Sequence, residues 1–228
     1  MNRLPVTLTL LMLQQAAVIA ADITTDQVDS CADSDHCYRA DFAELQHIEF
    51  GRIPANEITI SDGTVTFRVM KSASFLMQAF DQVMPVKQVD LSWKSEGVPS
   101  LQDAGQEKQK AGDDAVVKLG LLLRADKERF NPFLPGWMKQ VREELSYPSE
   151  MMIYLVADSR HDAGQRWANP YNERITMVSM LDVPTGDGWN RSTMEFDEPV
   201  DVVAIWLMSD GDNTGSSFVT TVREVVLR

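Results

Sequence analysis

The stretch Val200–Ser217, VDVVAIWLMSDGDNTGSS, carries the reading that sets the fold class. Its first nine residues are apolar except for Asp201, with no alternation of apolar and polar side chains. A strand with one wet face alternates, so a run like this predicts a strand covered on both faces. The next nine residues are small, amide or carboxylate side chains with two glycines, the composition of a tight connection. A further apolar run, FVTTVREVVLR at Phe218–Arg228, then closes the chain.

Working outward, the same rhythm of short apolar runs and turn signals begins near Ala40. Ile58, Ile60, Val65, Phe67 and Val69 flank Ser61-Asp62-Gly63, which predicts a hairpin. The runs SASFLMQAF, QVDLSWKSEG, DDAVVKLGLLLRA, MMIYLVADS, RITMVSMLDV and WNRSTMEFD each have the length of a strand. One segment differs. Phe130, Phe133, Leu134, Trp137, Met138, Val141 and Leu145 recur at spacings of three and four, predicting an amphipathic helix that starts near Gly136. About ten short strands, one inserted short helix and no strand–helix–strand alternation predict an all-β, antiparallel two-sheet β-sandwich.

The N-terminus speaks to location. Asn2 and Arg3 precede an apolar run ending in Val18 and Ala20, which predicts a signal peptide over 1–20 and a periplasmic or secreted mature chain. The run is too short and too interrupted by glutamine for a membrane span. An N-terminal loop over 21–41 holds both cysteines, Cys31 and Cys37, expected to form a local disulfide in an oxidising compartment. A metal site formed by these cysteines with His36 is the alternative. The sandwich domain is placed at 42–228. The chain has a formal charge of −13, and since Arg3 is the one charge in the leader, the mature form carries −14. Such acidity disfavours nucleic acid and anionic membranes as partners and supplies oxygen ligands for cations such as calcium.

The order of LSWKSEG, KAGDDAVVKLGLLL, MIYLVADS, GDGW and VVAIWLMSDGDNTGSS resembles a bacterial secreted family, domain of unknown function 3047, over roughly Phe42 to Arg228. The resemblance implies a jelly-roll sandwich similar to carbohydrate-binding modules, with the helix as a local elaboration. It implies no particular activity.

Several side chains are candidates for function. Asp210 and Asp212 open like a calcium loop, but Thr214 stands where a third carboxylate or amide belongs and Thr221 where a bidentate Glu belongs, which excludes an EF-hand. A different calcium site would add Asp113 or Asp114; a plain strand-connecting turn explains the same residues. Asp113 and Asp114 precede an apolar strand, so an extended chain would turn one inward, toward Lys94 or Arg124. Glu195 and Asp197 share a strand face but lack the third carboxylate of jelly-roll endoglycanases. The segment Asp158–Arg174 gathers Arg160, His161, Arg166, Trp167, Asn169 and Tyr171, residues suited to a sugar platform in which Trp167 and Tyr171 stack and the others bond hydroxyls. The same aromatics could fold back onto the sandwich, while Trp93, Trp189 and Trp206 read as core. The expectation is a non-catalytic protein binding a carbohydrate or another cell-envelope ligand, with calcium as a potential aid. A polysaccharide lyase or glycoside hydrolase, and a structural partner in an envelope assembly, are the alternatives.

Overall fold

The computed structural model describes residues 31, 37–127 and 133–228. The leader at 1–20 and most of the 21–41 loop, His36 included, lie outside the described residues. Both cysteines are disulfide-bonded. Of two compact units, 1–33 and 34–228, the second carries every strand and helix described.

In chain order the elements are β1 (Tyr38–Arg39), β2 (Gln46–Glu49), β3 (Glu57–Ser61), β4 (Thr64–Met70), β5 (Ala73–Glu96), β6 (Ala115–Arg124), α1 (Gly136–Glu144), β7 (Ser149–Ala157), β8 (Arg166–Ala168), β9 (Ile175–Ser179), β10 (Leu181–Pro184), β11 (Asn190–Asp210) and β12 (Ser217–Leu227). The result is a mostly antiparallel, sandwich-like β architecture with one inserted helix. Pairing runs β3-β4-β12-β5-β11-β6-β7-β9-β8, with β2 on β5, β10 on β11 and β1 on β12. The β7–β9 pair is parallel, a departure from the antiparallel expectation. The β3–β4 hairpin turns at Asp62 and Gly63, both with positive φ, as its sequence predicts.

Two strands are far longer than their sequence runs predict. SASFLMQAF and QVDLSWKSEG form the single strand β5, and WNRSTMEFD and VDVVAIWLM form the single strand β11. The first half of β5 pairs with β2, and its second half with β12. Both halves pair with β11, whose register slips between Glu195 and Val200 and again between Val202 and Ala204. Pro199 lies at the first slip, where the absent N–H costs no ladder bond. Each long strand thus serves both layers, and the polar run between its apolar halves is the crossing between them, not a turn.

Alternation along these strands feeds two cores. Leu76, Leu119, Leu121, Leu155, Ile205 and Leu207 turn inward to meet Val65, Phe67, Leu91, Trp93, Val222 and Val225 of the other layer. Their neighbours Phe75, Met77, Leu122, Tyr154, Trp206 and Met208 turn outward into a second core, which Trp137 and Val141 of α1 cover. The layer of β5, β11, β6 and β7 is therefore buried on both faces, which explains its unbroken apolar runs.

A row on the outer face runs Met77, Trp206, Gly120, Tyr154 and Met177 through successive register pairs. Gly120 lets the indole of Trp206 lie across β6: a Cβ there would stand 2.2 Å from Trp206 Nε1. Trp206 is held by Phe75, Tyr154 and Trp137 and cannot retreat freely. Gly120→Ala should cost about 1–3 kcal/mol through overpacking. Urea denaturation checks this, and an unchanged midpoint would contradict the packing.

Candidate functional site

On the same outer face, two residues before Gly120 in β6, stands a lysine. Lys118 follows Val116 and Val117 in β6, pairs in register with Met208 and Val156, and is 2 % exposed. Its ammonium has three hydrogens and meets three acceptors: the Asp113 carbonyl at 2.6 Å, Asp113 Oδ1 at 3.2 Å and Asp210 Oδ2 at 2.9 Å. The Tyr154 ring lies 5.8 Å away. Burial works against the charged lysine, but Asp113 and Asp210 outweigh it and hold its pKa above the ordinary lysine value. Burial pushes Asp210 well above the usual carboxylate range; Lys118 opposes this, while Asp114 and contact with Asp212 add to it. Tyr154 is likewise raised, by burial first and then by Asp113 and Asp210.

The sequence expectation for Asp113 and Asp114 needs two corrections. Both are buried, since the chain leaves a short 3-10 turn at Lys110–Gly112 and Asp113 is not extended (φ −74°, ψ 50°). The partner is Lys118, neither Lys94, which lies over the Trp189 ring, nor Arg124. Asp114 gathers the loop after β11. Its Oδ1 accepts from the Asn213 N–H and amide at 3.1 Å each, and its Oδ2 from the Thr214 N–H and hydroxyl at 2.6 Å each. Asp113 Oδ2 takes the Asn169 amide at 3.0 Å. The Tyr171 hydroxyl donates to Asn213 Oδ1 and lies 3.1 Å from the Lys110 carbonyl. Three loops remote in sequence are thereby tied around one buried cation. Asp114, Asp210 and Asp212 also form a cluster of acidic side chains that could chelate a metal ion, their oxygens lying within 4.8 Å of one another.

Beside this polar end opens a cleft of about 940 Å³. Its apolar wall includes Phe50, Ile53, Trp137, Tyr154 and Trp206, and its polar end Asp113, Asn169, Tyr171, Asp210, Asp212 and Asn213. Phe50, Phe75, Trp137, Tyr154 and Trp206 form a chain of ring contacts, with centroids 4.4–6.3 Å apart. Trp206 Nε1 and Asp210 Oδ1 are buried without a hydrogen-bond partner.

The loop Asp158–Arg174 divides. Tyr171 and Asn169 reach the cleft, Tyr171 exposed and Asn169 buried as a bracket that also accepts the Tyr171 and Asn172 N–H groups. Trp167 is 9 % exposed and belongs to the outer core, paired in register with Met177. Its ring meets His161 at 4.8 Å and so offers no face for stacking a ligand. His161 lies against the buried Glu107, 3.8 Å away, and Glu107 also accepts from the Ser159 hydroxyl and the Arg160 N–H. Arg160 and Arg166 are exposed and outside the cleft. Glu195 and Asp197 are exposed around the inward Phe196, a solvated strand face. Trp93 and Trp206 are buried as expected, whereas Trp189 is half-buried with Lys94 and Arg223 against its ring.

The sequence reading missed Lys118, Tyr154, Phe50, and Trp137 and Trp206 as cleft residues. Lys118 left a usable signal, a lone lysine in the apolar run AVVKLGLLL. The aromatics left none, because outward and inward residues of a strand covered on both faces look alike.

Comparison with known proteins places this chain in a family. The chain belongs to the DUF3047 family, proteins of unknown function, which it matches over residues 59–226. No curated protein sequence matches it. Among solved structures it is similar to a low-affinity xylan-binding module from the xylanolytic gut symbiont Roseburia intestinalis. The two share 11 % identity over 84 % of this chain and 94 % of that one, with a TM-score of 0.39. It is also similar to the enzymatically active domain of tailspike protein 4 of bacteriophage CBA120, with 8 % identity over 85 % of this chain and 20 % of that one and a TM-score of 0.33. Among the described residues no helix is long and apolar enough to cross a membrane.

Replacing Lys118 by Met leaves Asp113 and Asp210 buried without their cation, a loss of about 3–5 kcal/mol at neutral pH. The raised pKa of Asp210 fixes how that loss varies. A carboxyl whose folded pKa lies above its unfolded value stabilises fully below the unfolded value and loses that contribution as pH rises through the folded one. Removing Lys118 raises it further, so the penalty of the substitution should shrink at pH 4 and grow toward pH 7. Thermal melts across this range test the sign, and a penalty independent of pH would contradict it.

Proposed function

We propose that this protein binds a carbohydrate segment in the outer-face cleft, without turnover, after export to the periplasm or beyond. The observation that carries the reading is the pairing, in one cavity, of a continuous aromatic wall with a cluster of oxygen and amide groups. Sugars present C–H faces that stack on aromatic rings and hydroxyls that seek carboxylates and amides, and this division of surfaces matches the cleft. Trp137 and Phe50, half-buried at the wall, are the stacking residues. Asp212, Asn213 and Tyr171 are the groups that meet hydroxyls, and a hard cation such as calcium would assist there.

The spacing of the acids supports binding without turnover. Asp210 and Asp212 are in contact, whereas glycosidases hold their two carboxyls roughly 5–9 Å apart to admit the anomeric carbon or a water. Asp210 is also committed to Lys118. The net acidity of the chain and of the cleft end favours a neutral glycan over a polyuronate. The apolar leader and the disulfide support an oxidising compartment outside the cytoplasm.

The test is affinity electrophoresis of the mature protein through gels containing bacterial and plant polysaccharides. Retardation in at least one neutral glycan is expected, weakened by roughly tenfold in Trp137→Ala. Trp189→Ala, remote from the cleft, should leave it unchanged. No retardation across the panel, with a protein co-purifying instead, would overturn the reading in favour of an envelope assembly role. Release of reducing or unsaturated sugar would overturn it in favour of an enzyme.

A further inference from the structure

Asp210 ends β11, Asp212 stands two residues on in the following loop, and Asp114 leads into β6. Their mutual 4.8 Å separation places three carboxylates at one end of the cleft. Acidic residues crowd for many reasons, and one atom distinguishes this group. Asp210 gives Oδ2 to Lys118, while its Oδ1 is buried and meets no donor, in a side chain only 7 % exposed. A buried carboxylate oxygen without a donor is costly, and an ion or an ordered water is what satisfies such an oxygen.

The charges point the same way. Asp113, Asp114, Asp210 and Asp212 present four carboxylates, and Lys118 is the one cation buried among them. Lys110, over the Tyr171 ring, and Arg52, at the cleft wall, lie nearer solvent. One ammonium does not balance the group.

We infer that Asp210 Oδ1 and Asp212 bind one divalent, oxygen-seeking cation of the calcium class, with Asp114 adding its charge beside them. Asp113 and Asp114 are excluded as direct ligands because donors occupy their oxygens, Lys118 and Asn169 on the first and Asn213 and Thr214 on the second. Lys118 takes Oδ2 of Asp210, which leaves Oδ1 for the ion. Asp212 is half-buried, with Oδ1 accepting from the Asn213 amide at 2.9 Å. Asp114, bonded by Asn213 and Thr214, fixes the loop that carries Asp212 beside Asp210. Calcium takes roughly six to eight oxygen ligands, so most positions remain for water or for ligand hydroxyls in the cleft that Asp210 and Asp212 line. The inference goes beyond the glycan reading: the metal alone is the probe, and binding of metal stands or falls whether or not a glycan is found.

The experiment titrates EDTA-stripped protein with calcium chloride by calorimetry, with melting curves alongside. One ion per chain is expected, and Tm should rise by roughly 5–10 °C at calcium a hundredfold above its Kd. Terbium, a stand-in of similar size, should give emission sensitised through the cleft aromatics and displaced by calcium. Asp212→Asn, at a half-buried loop position, should weaken binding by roughly tenfold or more and abolish the terbium signal. Glu49→Gln, an exposed carboxylate elsewhere on the cleft, should leave both unchanged. Absence of heat and of any Tm shift up to millimolar calcium or manganese would overturn the site. So would equal binding by Asp212→Asn and the wild type.

Discussion

A buried ammonium, with each hydrogen on an acceptor, organises this protein's outer face. Lys118 stands in a strand whose other early residues are apolar, and the low dielectric around it makes each of its bonds to Asp113 and Asp210 strong and the loss of any partner expensive. Because Asp113 belongs to the lead-in of β6 and Asp210 to the end of β11, the lysine fixes how one loop meets the other. Asp113 then holds Asn169, Asp114 holds Asn213 and Thr214, and Asn213 holds Tyr171. The polar end of the cleft is a shell built outward from one charge.

The apolar wall has a different origin. Two long strands shared by both layers force the β5–β11–β6–β7 layer to be covered twice, once by the opposing layer and once by α1. The helix is nine residues long and covers only part of the outer face. What it leaves is a trough floored by Trp206 and Tyr154 and bounded by Trp137 and Phe50. Gly120 leaves the Trp206 indole room to lie across β6. Cleft and fold meet in β11, whose second half carries both Trp206 and Asp210.

The sequence discloses the class of fold more readily than the identity of the site. The apolar run at Val202–Met208 reports burial on both faces, the Asp62-Gly63 turn reports its hairpin, and the spacing around Trp137 reports the helix from its first residue. The continuity of β5 and β11 is hidden, because polar residues at a crossing between layers look like those of a turn. The strand β8 is hidden in a polar loop for the same reason: only Trp167 of its three residues is buried. The acidic residues named from sequence, Asp113, Asp114, Asp210 and Asp212, do converge, since each flanks an end of one of two paired strands. Composition alone does not show which aromatics line the cleft. Trp167 supplies core, and the rings that face the cleft come from Phe50, Trp137 and Trp206, whose neighbours in sequence give no sign of an outward pocket.

The most direct test of the account is a ¹⁵N–¹H spectrum of the indole region, where the five tryptophans report from five places. A neutral oligosaccharide that binds should move the Trp206 and Trp137 signals saturably and together, leaving Trp93 and Trp189 in place. Saturable shifts confined to Trp189, or to any tryptophan outside the cleft, would contradict the assignment of the outer-face cleft as the binding site.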